Sequence, residues 1–224
     1  MPVIQIDALR LLQRQPPSRT LRPATARLRR EALALVADET LVQAQASYRL
    51  VPIEQVGEHG CLCVDGLTLP APWLLPANGE LTAVACAVCT LGPTLPARVH
   101  SLFDERRAAL AVGLDALGNE LLGVASRVLQ DRMLADARRQ GLSMAGELRS
   151  GDPGLAIDTQ GTVLQLAQAD CIGVSLSAGG MMHPVKTSSM VLGVGLALPQ
   201  TSWSRCDHCP TRERCQWVSS GARA

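Results

Sequence analysis

From residue 24 to 46 apolar side chains recur with helical spacing. Leu28, Leu35 and Val42 stand seven apart with Ala32, Leu33 and Val36 between them, which predicts a helix from Ala24 to Ala46. Pro16, Pro17 and Pro23 break the chain ahead of it. Tyr48 to Val56 and Cys61 to Leu69 read as strands, the second a hairpin about Asp65-Gly66. Pro70, Pro72 and Pro76 make an extended connector, and Leu81 to Cys89 is a buried strand of alternating small and branched residues. After Gly92, Pro93 suits a first helical turn, so a helix is expected over Thr94 to Asp104, followed by a long small-residue helix from Ala108 to about Gln140. Gly151, Pro153 and Gly154 predict a turn, Asp158 to Ala169 a helix, Ile172 to Leu176 a short strand, Gly179-Gly180 a break, and Ser188 to Leu198 a last strand. Strands and helices alternate only loosely, which favours an α+β fold over a doubly wound sheet.

Composition adds limits. A chain of 224 residues with 47% hydrophobic content can bury one substantial core but not several. The net charge of +1 supplies no global field toward nucleic acid or anionic membrane, and five aromatic residues are too few for stacking on single-stranded bases. Up to Arg30 seven arginines face Asp7 alone, a basic arm that serves as a solvated helix face or a docking surface. Met1 to Pro17 is interrupted by charges and has no secretory pattern, and the apolar stretches Leu81 to Leu91 and Met190 to Leu198 fall short of the roughly 20 residues that span a bilayer. A cytoplasmic setting is expected, where eight cysteines point to metal or redox chemistry rather than to disulfides. There is no glycine-rich phosphate loop followed by Lys-Ser or Lys-Thr. Asp115 and Glu120, five apart on a predicted helix, point to different faces and do not form an acid/base pair.

The densest chemistry lies in the last stretch, where Cys206, Cys209 and Cys215 stand in a C-x2-C-x5-C spacing. Thiols two residues apart in a tight turn converge on one metal centre, and a third closes the same face, as in zinc and iron-sulfur loops. A fourth ligand has to come from Cys61, Cys63, Cys86, Cys89, Cys171 or His208, unless one position stays open to water. Lys186 also stands out as the single lysine beside twenty arginines, next to His183 and the pair Met181-Met182. A compact ammonium there suits a propionamide, a phosphate or a backbone carbonyl, and methionines offer a soft, adaptable surface.

Four segments together resemble a known family. Cys89-Thr90-Leu91-Gly92-Pro93, Leu114-Asp115-Ala116-Leu117-Gly118, Gly151-Asp152-Pro153-Gly154 with Gln160 downstream, and Ile172-Gly173-Val174-Ser175-Leu176 running on through Gly180-Met181-Met182-His183-Pro184-Val185-Lys186-Thr187-Ser188 are similar to the reactivation domain of cobalamin-dependent methionine synthase. The likeness is greater to stand-alone homologues that end in a cysteine cluster and serve the reductive activation of corrinoid proteins. It covers roughly residues 80 to 218.

The resemblance implies an activation-domain-like α+β fold with a mixed or antiparallel sheet, flanking helices and a C-terminal cysteine-rich loop. Residues 1–75 would form an N-terminal arm, helix and strands packed on the main domain, 76–200 the activation-domain-like core, and 201–224 the cysteine tail. It implies an iron-sulfur cluster, of 4Fe-4S type, on Cys206, Cys209 and Cys215. Many clustered homologues place a fourth cysteine before Met-Met, where this chain has Gly180, so Cys89 is the first substitute and Cys171 the second. Gly180, Met181, Met182, His183 and Lys186 would meet the corrinoid or the protein carrying it. The partners implied are a corrinoid protein or cobalamin-dependent methyltransferase and an upstream electron donor, with neither nucleic acid nor membrane. The arginine and tyrosine that grip S-adenosylmethionine in the methionine synthase domain, aligned on Gly151, fall here on Glu147 and Asp152, which would repel the ligand carboxylate. The reading is therefore an iron-sulfur protein that returns cobalt to its active state. The alternatives are a zinc-clamped adaptor or chaperone without redox chemistry, and an S-adenosylmethionine-binding domain with an altered pocket.

Overall fold

The structure is a computed structural model that describes residues 3–14 and 21–199. The expected cysteine segment, with Cys206, Cys209 and Cys215, lies outside the described residues. In chain order the elements are β1 (Ile4–Gln5), α1 (Ala8–Arg14), α2 (Pro23–Asp38), β2 (Gln45–Val56), β3 (Cys61–Val64), β4 (Leu67–Pro70), β5 (Glu80–Thr90), α3 (Thr94–Asp104), α4 (Ala108–Arg139), β6 (Ser143–Leu148), α5 (Gln160–Leu166), β7 (Ser175–Leu176), β8 (Met182–His183) and β9 (Thr187–Leu196). The main sheet runs β4-β3-β2-β5-β9-β6, with β1 added on β2, and β7 and β8 form a separate hairpin. Every pairing is antiparallel. This is the α+β arrangement that the loose alternation of elements predicts.

The strand β5 lies at the centre and is buried on both faces. Its odd-numbered positions Ala83, Ala85, Ala87 and Cys89 join α1 to α4 in one core, while Val84, Cys86 and Val88 join α5, β3 and β4 in the other. Small side chains on the first face let α4 lie close to the sheet. Along α4, Leu110, Leu114, Leu117, Leu121, Leu129 and Met133 are buried in that first core. By length and composition α4 is long and apolar enough to cross a membrane, a property the uninterrupted apolar runs of the sequence do not reveal. Its buried residues make it the core helix of this fold. The ion pair Arg29–Glu120, 2.5 Å, ties α2 to α4 at a half-buried site, worth about 0.2–1 kcal/mol.

Some elements differ from their sequence expectation. The first long helix stops at Asp38, because Thr40 takes a left-handed φ of 51° and the backbone from Gln45 pairs with Thr90 of β5. The stretch after Ile157 begins and ends as 3-10 turns around the two-turn α5, since Gln168 is left-handed (φ 53°). Only Ser175–Leu176 of the run from Ile172 is strand. The strand β6 has no strand-like composition and contains Gly146. It forms because β9 offers Gly193 opposite Ala145 and Gly195 opposite Ser143, before the register shifts ahead of Leu148. The turn Asp65-Gly66, with both residues at positive φ, closes β3 on β4 as its sequence predicts.

The close approach at Gly195 generates a test. A Cβ there would stand 1.9 Å from Glu80 O, whereas at Gly141, which has a left-handed φ of 73°, it meets nothing within 4 Å. Gly195→Ala is expected to lower unfolding free energy by about 3 kcal/mol or more and Gly141→Ala by about 1 kcal/mol, read from urea midpoints.

Candidate functional site

Asp115, Asn119 and Ser126 lie at spacings of four and seven on α4 and so share one of its faces. That face covers the end of β5 and the start of β9. Lys186, just ahead of β9, is buried (8% exposed); its Nζ donates to Asn119 Oδ1 at 2.7 Å and pairs with Asp115 Oδ1 at 2.8 Å. Gly118 makes room for the lysine stem, since a Cβ at that position would lie 3.3 Å from Lys186 Cε and 3.0 Å from Leu95 Cδ2. The carbonyl of Lys186 accepts from Leu91 N at 2.9 Å. Thr187 Oγ1 stands 2.8 Å from Thr90 Oγ1 and 2.6 Å from Pro184 O, on the opposite side of the ladder. The lysine therefore clasps α4 to the sheet, and its ammonium faces inward rather than toward a partner. Asp115 and Glu120 do diverge, the first to Lys186 and the second to Arg29.

One rung further in, Cys89 is paired in register with Ser188. Its Sγ lies 3.3 Å from Ser126 Oγ, and its surface is wholly buried. Burial pushes this thiol up, with the Ser126 hydrogen bond, Arg149 and the Ser188 backbone opposing. A neutral thiol closed between β5 and α4 is a poor metal ligand, because ligation needs a thiolate and access. Cys86, three residues earlier, faces the other core, and burial pushes it up to about 12. Cys171, in the 3-10 turn Ala169–Ile172, is exposed. Cys61 and Cys63 are half-buried on β3, where Cys63 donates to Glu54 Oε2 at 3.1 Å. Among the described residues no group of three or more His, Cys, Asp or Glu side chains gathers as metal ligands.

Beyond β6 the chain presents a guanidinium that the sequence alignment on Gly151 passes over. Arg149 donates through Nη1 to Ser188 Oγ and through Nε and Nη2 to Glu147 Oε1 at 3.1 and 2.9 Å, while its backbone N donates to Asp152 Oδ2 at 3.0 Å. Glu147 is thus ion-paired with the Arg149 guanidinium, while Asp152 accepts from the Arg149 backbone amide. The overlooked signal is the Pro-Gly pair itself. In this fold Pro153-Gly154 is the turn, with Gly154 at φ 86° packed on Trp73, and Leu155 after it is buried.

The hairpin of β7 and β8 carries the remaining sequence candidates. Ser177 N donates to Met181 O at 2.9 Å, and the turn exposes Gly180, Met181 and His183. Met182 packs against the second core. The two methionines divide, one outward and one inward, and Lys186 belongs to the clasp on α4 rather than to the exposed surface of the hairpin.

No family model matches the chain, and no curated protein does. A solved structure does. The crystal structure of the MetH reactivation domain bound to AdoHcy superposes with a TM-score of 0.64 at 14% identity, covering 91% of this chain and 80% of that one. The chain has a reactivation-domain-like fold.

The thiol environments predict an order of reactivity. In the folded protein at pH 8 Cys171 should be alkylated at a free-thiol rate, while Cys86 and Cys89 react only on unfolding, as mass spectrometry of iodoacetamide-treated protein will read. The raised Cys86 thiol also sets a sign. The unfolded thiol ionises near its ordinary value of 9.0 and the folded one at about 12, so this contribution to stability is complete below pH 9 and is lost as pH rises toward 12. Cys86→Ala is expected to flatten that alkaline decline.

Proposed function

We propose that this chain is a reactivation module for a corrinoid-dependent methyltransferase, acting as an iron-sulfur protein on the cobalt of its partner. The observation that carries the proposal is the likeness of fold, over nearly the whole chain, to a methionine synthase reactivation domain. The C-x2-C-x5-C segment supports the finer reading, because three closely spaced thiols suit a cluster and the likeness alone supplies no redox group. Cys206, Cys209 and Cys215 would hold the cluster, and Cys171 replaces Cys89 as the candidate fourth ligand, being an exposed thiol where Cys89 is sealed and protonated. Bound there, the cluster supplies single electrons at low potential. Met181, His183 and Gly180 on the exposed hairpin offer the surface for the corrinoid protein, and Lys186 holds the base of that hairpin against α4.

Anaerobically purified protein is expected to be brown, with a visible band that dithionite bleaches. Cys206→Ser, Cys209→Ser, Cys215→Ser and Cys171→Ser should each abolish or convert that spectrum, and Cys89→Ser should leave it intact. A colourless protein with tightly held zinc would replace electron delivery by a zinc-clamped adaptor. Loss of the spectrum in Cys89→Ser but not in Cys171→Ser would restore the first choice of ligand.

A second reading rests on Arg149. The neighbouring domain is bound to AdoHcy, and a guanidinium beside the start of β9 can receive the carboxylate of such a ligand. Glu147 already occupies two of its N–H groups, and Leu155 supplies no hydroxyl. S-adenosylmethionine should therefore bind weakly by calorimetry. Glu147→Gln is expected to tighten binding about tenfold by freeing the fork, and Arg149→Ala to abolish it. Unchanged affinity in both variants would place any such ligand elsewhere.

A further inference from the structure

The outward face of β3 carries two thiols that the reading above leaves without a role. Leu62 and Val64 are buried in the second core, so alternation along the strand puts Cys61 and Cys63 together on the other face, where both are free and half-buried. The strand is pinned on two sides. Cys63 stands opposite Gln55 of β2 and Thr68 of β4, and Cys61 opposite Pro70 of β4. The register of β2 shifts between Ile53 and Gln55, and Glu54 at that irregularity accepts from Cys63 Sγ through Oε2 and from Gly66 N through Oε1, each at 3.1 Å. The hydrogen bond to Glu54, ahead of burial and the charges of Glu54 and Cys61, holds the Cys63 thiol above its ordinary range. The two thiols therefore sense one another, and β4 brings only uncharged partners to them.

We propose that Cys61 and Cys63 form a two-thiolate site for copper(I), a soft cation that two ligands satisfy. Spacing selects this chemistry. On a strand that rises about 3.3 Å per residue, Cα atoms two apart stand about 6.6 Å from one another with their side chains nearly parallel, at the far limit of what a disulfide spans. Closing one would draw the Cβ atoms to about 3.8 Å and pull β3 away from both neighbouring strands. Two metal–thiolate bonds of about 2.3 Å instead hold the sulfurs up to about 4.6 Å apart, which suits parallel side chains on an undisturbed strand. Zinc calls for four ligands, and among the described residues no third His, Cys, Asp or Glu completes a group with this pair. Thiolates select copper(I) among the softer ions. Binding exchanges the two thiol protons for one cation with no change of oxidation state, and the Glu54 carboxylate is placed to take the proton of Cys63 on its way to solvent. The site uses none of the cysteines assigned to the cluster, so it can fail independently of the proposed function.

The test is a titration of copper(I) against a chromophoric chelator. The full-length chain with Cys171→Ser, Cys206→Ser, Cys209→Ser and Cys215→Ser keeps Cys61 and Cys63 as its accessible thiols, since Cys86 and Cys89 are buried. It is expected to take up one copper(I), with two sulfur neighbours in X-ray absorption. Adding Cys61→Ser or Cys63→Ser should each weaken binding by about a hundredfold or more, because the second thiolate no longer acts at the high effective concentration that the strand gives it. Below the range in which the thiols ionise, affinity should fall about a hundredfold per pH unit, as the displacement of two protons requires. In the chain with its other cysteines intact, Cys61→Ser/Cys63→Ser should remove one bound copper(I), which checks the result without the four serines. Equal affinity in either single variant, or a fall of only about tenfold per pH unit, would mean that one thiol binds alone and would overturn the proposal. So would a peptide map in which Cys61 and Cys63 are joined as a disulfide in the copper-free protein.

Discussion

The burial of β5 on both faces is the constraint on which the rest of the structure depends. A strand between two cores must present complementary surfaces to each, and here the division is by size. Nothing larger than cysteine faces α4, and branched valines alternate with Cys86 on the other side. Interiors pack at crystal-like density, so a larger side chain at Ala85 or Ala87 would lift α4 off the sheet and not merely crowd it. The thiols at Cys86 and Cys89 then behave as small hydrophobes. Ser126 gives the second of them a partner, so that neither polar atom is left unpaired at the helix–sheet contact.

With α4 fixed at that distance, the polar end of the sheet assembles by register. The pairing of Thr90 with Thr187 and of Cys89 with Ser188 alternates side chains between the two faces, so that Lys186 and Ser188 both turn toward α4. A buried ammonium is costly unless paired and hydrogen-bonded, and Asp115 with Asn119 supplies both. The lysine stem is closely packed between Gly118 and Leu95, where the broader guanidinium fork of an arginine has less room, which gives the solitary lysine a steric reason within the fold. Its role is to hold the β8–β9 junction against the helix, and through that junction the exposed hairpin keeps its orientation.

Much of this was legible in the sequence where local signals agree. The strand β5, the helices α3 and α4, the Asp65-Gly66 hairpin and β9 end within a residue or two of their predicted limits, because hydrophobic period, glycine and proline all point the same way. The end of α2 was not legible, since Val42 continues the helical period and only the pairing of Gln45 with Thr90 ends it. The strand β6 was invisible because its partner's glycines create it. At the site, the alignment on Gly151 hid Arg149, and burial, which decides between Cys89 and Cys171, is a tertiary property that cysteine spacing does not carry.

The same closure that stabilises the centre restricts where chemistry can occur. Among the described residues, the thiols of Cys86 and Cys89 are sealed and the buried ammonium is paired, whereas Cys171 and the turn of the β7–β8 hairpin are exposed. Reaching the Cys89 thiol would require opening the β5–α4 contact, which would break the first core. The doubly buried β5 then makes the sheet a rigid platform, while the exposed hairpin and loops can vary without disturbing it.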